Sequence, residues 1–130
     1  MVFQVELVGM DALAAMIAKA QKSQTALAKA VHSEAQTVLN ESKKIVPVDL
    51  GVLKNSGQVK EPKIDGNSVE VEVTYGGAAA PYALYVHEDP EARHAPGKTY
   101  KYLEIPVMAH ADKFARNVKM KWMAYMRAGG

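Results

Sequence analysis

The sequence predicts an α+β fold, with a small antiparallel sheet of three to four strands packed against a long N-terminal helix and a C-terminal helix. Three observations lead there. Apolar residues recur every three or four positions up to Ile45 and again beyond Tyr102, which is the period of an amphipathic helix. Between these stretches they alternate every second position, most clearly from Val69 to Tyr75, as in a strand with one buried face. The strand segments follow one another through short links, which favours antiparallel pairing with helices gathered on one face.

Each element follows from its residues. Phe3 to Leu7 alternates and reads as a first strand. Gly9-Met10-Asp11 interrupts it, and the Asp11 carboxylate suits the cap of the next helix. Leu13, Ile17, Ala20, Leu27, Val31, Ala35, Val38 and Ile45 then form one stripe, with Gln24 and Ser42 filling two of its slots. This predicts a helix of about 34 residues and about 50 Å. Such a helix either outruns its own core and meets another chain, or bends to stay within it. Pro47 ends it, because proline lacks an N–H and disfavours helical geometry at Val46. A second strand is expected over Gln58 to Lys63, a hairpin turn at Asp65-Gly66-Asn67, and the strand Val69 to Tyr75 after it. Tyr82 to His87 alternates again and predicts one more strand. Residues 88–101 form a long polar loop, of the kind usually tied to function. A last helix is expected between Tyr102 and Arg127, starting near Pro106, with Val107, His110, Ala111, Phe114, Val118 and Trp122 as its inner face.

Length and composition narrow the function classes. A chain of 130 residues fits one domain, residues 1–130, with a core of its own. Cysteine is absent, so disulfides, cysteine-ligated zinc and thiol nucleophiles are excluded. A net charge of +2 is too small to imply a polyanionic partner by itself. No apolar run approaches the roughly 20 residues that cross a bilayer, and the opening MVFQVELVGMDAL lacks the basic start and cleavage site of a signal peptide. The expectation is a soluble protein made in a cytoplasm, with no membrane partner.

The run VPVDLGVLKNSG, from Val46 to Gly57, joins the two rhythms. Pro47 stops the helix. Asp49 can fold its carboxylate onto the N–H groups of Gly51 and Val52. Gly51 permits close approach or a positive φ, and Leu53 turns into the core. Nothing in the run is a nucleophile with a base beside it. Asp49→Ala is expected to cost about 1–2 kcal/mol by leaving backbone N–H groups unpaired.

With YALYVHE about 25 residues later and YLEIPVMAHADKF after that, this run resembles the tail-completion, or minor tail component, proteins of long-tailed bacteriophages. The matching positions are Pro47, Asp49, Gly51, Leu53, Lys54 and Ser56, then Tyr82, Ala83, Tyr85, Val86 and His87-Glu88, then Tyr102-Leu103. Departures are Leu50 where the family carries threonine, Gly57 where it carries an apolar residue, and DPEARHAPGKT in place of a short Gly-Thr. The resemblance implies a virion protein of the neck, assembled as a homo-oligomeric, commonly hexameric ring around the DNA conduit, though a monomer in solution is compatible with it. Implied partners are the head-closure connector, the tail terminator and the tail tube, with DNA passing through the lumen without sequence-specific binding. No enzymatic activity, cofactor or metal is implied.

His87, Glu88, Asp89, Glu91 and His94 hold potential ligands, but Glu91 stands where a helical His pair would need its second histidine, and Pro90 forbids the helix. A loop site for a hard or borderline ion is the less frequent alternative; a solvated loop is the simpler account, and Glu88, Asp89, Glu91, Arg93, His94 and Lys98 become candidates for contact with a neighbouring subunit or neck protein. Lys113, Arg116, Lys119, Lys121 and Arg127, with Trp122 and Tyr125 among them, leave an alternative function as a small basic nucleic-acid-binding protein. The seven methionines suit either an adaptable interface or gap-filling in the core, the latter being the commoner use.

Overall fold

The computed structural model describes residues 2–7, 21–47, 51–65, 68–77, 82–90 and 100–129. The elements are β1 (Val2–Leu7), α1 (Gln21–Ile45), α2 (Val52–Asn55), β2 (Gln58–Val59), β3 (Lys63–Asp65), β4 (Ser68–Thr74), α3 (Ala83–Glu88) and α4 (Glu104–Gly129). The α+β class is as the sequence predicts. Asp11, the helix stretch 13–20, Asp49, Leu50, the turn residues Gly66 and Asn67, and the loop residues Glu91, Arg93, His94 and Lys98 lie outside the described residues.

β4 is the central strand. It pairs antiparallel with β1 on one side, from Val2↔Thr74 to Leu7↔Val69, and with β2 and β3 on the other. β2 and β3 share one edge, so the four strands fill three positions. The strand expected over Gln58 to Lys63 is thus broken, and the register gives the reason. Val59 pairs with Val73 and Ile64 with Val69, so the outer edge carries one more residue than β4 over the same span. This is a β-bulge, and Pro62, which has no ladder donor, sits within it. The extra residue keeps Val59 and Ile64 on the same apolar face, where both pack against the core. Across β4, Val69, Val71 and Val73 are buried on that face, as the alternation predicts.

α1 packs against β2, β3 and β4, and α4 packs along α1. Being covered from two sides, α1 buries two adjoining rows instead of one stripe: Leu27, Val31, Ala35 and Leu39, and Ala26, Ala30, Glu34, Val38 and Ser42. From Ala26 onward the long stripe is therefore satisfied within its own chain. Glu34 is buried in the α1–α4 layer, where Lys121 Nζ lies 3.5 Å from its Oε1 and donates to Ser33 Oγ at 3.1 Å. Phe114, Val118 and Trp122 of α4 face inward as expected, whereas Ala111 is exposed.

Two further expectations change. Residues 83–88 are helical, not a strand: Ala83 and His87, one helical turn apart, are buried, while Leu84 and Tyr85 are exposed. Met108, Met120 and Met123 are exposed on α4, so the gap-filling reading fails for them. α4 begins at Glu104, two residues before Pro106, which a first helical turn tolerates because its N–H would have no partner there. Among the described residues no helix is long and apolar enough to cross a membrane.

Candidate assembly site around Tyr75 and Tyr102

The corner is built from main-chain bonds and small side chains. Val46 N–H donates to Ser42 O at 3.0 Å, and buried Pro47 follows. Gly51 has φ +75°, the left-handed conformation that favours glycine, and from there α2 makes its single turn, with Asn55 N–H donating to Gly51 O at 2.9 Å. Leu53 is buried, as expected. Ser56 Oγ donates to Leu53 O at 2.6 Å and accepts from Gly76 N–H at 3.0 Å, tying α2 to the end of β4. Gly57 is explained by space: a Cβ there would stand 2.8 Å from Tyr75 Cε1, 3.0 Å from Leu39 Cδ1 and 3.1 Å from Lys43 Cε. The apolar residue that the resemblance leads one to expect at 57 has no room.

Tyr75 leads from the corner to the rest of the site. Ser42 Oγ lies 2.8 Å from Tyr75 Oη and 2.6 Å from Tyr102 O. A carbonyl only accepts, so Ser42 gives its proton to Tyr102 O and Tyr75 donates to Ser42. Burial pushes the Tyr75 phenol up to about 12. The Tyr75 and Tyr102 rings meet edge to face with centroids 5.0 Å apart. Tyr102 Oη donates to Ala83 O at 2.7 Å, and burial raises its pKa as well.

His87 closes the cluster. Its ring meets Tyr102 edge-on at 4.9 Å. Its Nδ1 is 3.1 Å from Glu88 Oε1, and its Nε2 accepts the Glu104 N–H at 3.3 Å. Lys101 N–H donates to His87 O at 2.7 Å, and the Lys101 ammonium pairs with Glu88 and, at 3.6 Å, with Glu104. Burial holds His87 below the ordinary histidine value, against the opposing pull of Glu88. The bond from Lys101 lowers the Glu88 carboxyl. Among the described residues no three of His, Asp and Glu are grouped as a metal site.

The three motif blocks, far apart in the chain, therefore meet around two tyrosines. Pro47, Gly51, Leu53 and Ser56 shape the corner, while Ala83 and His87 dock α3 on Tyr102. Tyr82 and Tyr85 point outward, and with Leu84 they leave the outer side of α3 aromatic and aliphatic. The Tyr85 hydroxyl is held by Asp89, which raises its pKa. Sequence reasoning missed Ser42 as the hub, Lys101 as a clamp, and the inward turn of His87. The spacing of Ala83 and His87 was the available signal for the last. A groove of about 440 Å³ opens elsewhere, between α1, the bulge and α4, lined by Thr25, Lys29, His32, Ser33, Glu61 and Tyr125. It contains none of the motif residues.

The site thus joins buried docking residues to an outward apolar face. Residues 9–88 of the 130 match the HK97-gp10-like family model, described as "Bacteriophage HK97-gp10, putative tail-component". The chain belongs to this bacteriophage tail-component family. The match leaves out β1 and runs from before α1 through the corner, β2, β3 and β4 to the last residue of α3. No curated protein and no solved structure matches the chain.

Proposed function

We propose that this chain is a structural, non-enzymatic protein of the phage head–tail interface, acting in tail completion or head–tail joining. Residues 1–130 form one domain in this reading, and copies of it assemble as a ring around the DNA conduit, beside other neck and tail proteins. The observation that carries the proposal is the division of labour in α3: Ala83 and His87 anchor it, and Tyr82, Leu84 and Tyr85 are left exposed together. Large apolar side chains gathered outside a core mark contact surfaces. The segment from Glu88 to Lys101 starts at that surface and is assigned to the same contact. Virions assembled without the protein test the reading. Heads and tails that fail to join support it, and particles with firmly attached tails refute it.

A second reading, binding of nucleic acid as the main role, rests on Lys113, Arg116, Lys119 and Arg127, which are exposed on α4 and enter no ion pair among the described residues. It requires DNA affinity that falls steeply with salt in the isolated chain. Met120 and Met123, exposed between these cations, fit a protein neighbour better than a phosphate backbone.

A further inference from the structure

The geometry points to a proton-operated latch at His87 that couples α3 to the N-terminus of α4. The first amides of a helix have no partner within it, and Glu104 N–H, at the first residue of α4, finds its acceptor in His87 Nε2. That nitrogen must therefore be unprotonated, which places the ring proton on Nδ1, where Glu88 Oε1 accepts it. One neutral tautomer satisfies both neighbours. The main chain makes the same link, through Lys101 N–H to His87 O, with Lys101 at φ +54°.

A second proton conflicts with this arrangement. It would put an N–H at Nε2 facing the N–H of Glu104, two donors at 3.3 Å. It would also set a positive charge at the positive end of the α4 dipole, in a side chain only 1% exposed. Among the described residues, the groups facing the ring include Glu88 from α3, Lys101 and Tyr102 from the preceding connection, and Glu104 from α4, with Tyr75 of the sheet behind Tyr102. Glu88 and Glu104 favour the charged ring; Lys101, the helix end and burial oppose it. Glu88 is half exposed, so water weakens its pull, and the opposing side prevails. On protonation the ring has to leave Glu104 N–H, and α3 separates from the start of α4, while the core of sheet, α1 and α4 keeps its packing.

The test is NMR on the full chain, following the His87 ring and the Lys101 and Glu104 amides from pH 8 to pH 4. The expected result is a His87 midpoint below that of a free histidine. Protection of Glu104 against hydrogen exchange, corrected for the intrinsic rate, should fall about tenfold per pH unit between those two values. His87→Gln keeps an acceptor but cannot titrate, so its Glu104 protection should stay flat. An ordinary His87 midpoint, or wild-type protection at Glu104 that ignores the His87 titration, overturns the proposal, and so does an unchanged acid response in a folded His87→Gln. If that variant does not fold, coincidence or non-coincidence of the two wild-type midpoints decides alone.

Discussion

On the corner side of the buried cluster, Ser42, Ser56 and Tyr75 join α1, α2 and β4 through hydroxyls. On the α3 side, His87, Glu88, Lys101 and Glu104 join the two later helices through groups that titrate or carry charge. The first junction keeps its protonation state across the whole acid and neutral range. The second depends on a neutral imidazole. The contrast places the fixed frame where the sheet meets α1, and the condition-dependent link where α3 presents its outer face.

The largest effect is expected from Ser42→Ala. Ser42 is fully buried and serves two partners, so its loss takes the donor from Tyr102 O and one hydrogen bond from the Tyr75 hydroxyl. The expected cost is about 2–4 kcal/mol, taking about 1–3 kcal/mol for the orphaned carbonyl and about 1 kcal/mol for the lost tyrosine hydrogen bond. Urea denaturation measures it, and a cost near zero would remove Ser42 from the centre of the corner. Gly57→Ala comes next, at about 1–3 kcal/mol, because the added methyl must displace the Tyr75 ring and Leu39 in a packed core.

Titration separates the two junctions. Burial lowers His87 in the folded chain, so the unfolded chain takes up a proton that the folded one resists. That contribution is complete above about pH 6.5 and declines as pH falls through the window down to His87's own value, by at most about 1.4 kcal/mol per pH unit. Thermal melts from pH 8 to pH 4 should show the decline, and His87→Gln should flatten it. The corner should instead fail in alkali. Tyr75 is raised from 10.0 to about 12, so its contribution is full below pH 10.0 and is lost as pH rises towards about 12. Tyr75→Phe should weaken that alkaline loss and leave the acid limb unchanged.

How much of this was legible varies with the physics of each segment. Val69, Val71 and Val73 alternate in β-branched residues with polar partners, and both signals say strand. Tyr82 to His87 alternates just as regularly, but Ala83, Leu84 and Glu88 favour helix, and over six residues a period of two is easily confused with one of 3.6. Only the docking of Ala83 and His87 on Tyr102 decides between them. The bulge at 60–62 was illegible because it answers a register set by β4. Ser42 could be read as a polar slot in a helical stripe, yet its partners are 33 and 60 residues away. In the corner, Pro47, Gly51 and Leu53 behave as their residue types dictate, since their constraints are local. Gly57 looked like a departure until its neighbours were in place.

The smallest expected effect on stability carries the most weight for function. Replacing Tyr82, Leu84 and Tyr85 together by serine changes exposed positions only, and each such change should shift stability by no more than about 0.5 kcal/mol. The direct measurement is the fraction of heads carrying tails, counted by electron microscopy, in particles supplied with this variant. With the wild-type melting temperature preserved, heads and tails left unjoined are the predicted result. A tailed fraction equal to wild type would contradict the assignment of the α3 face as the assembly contact.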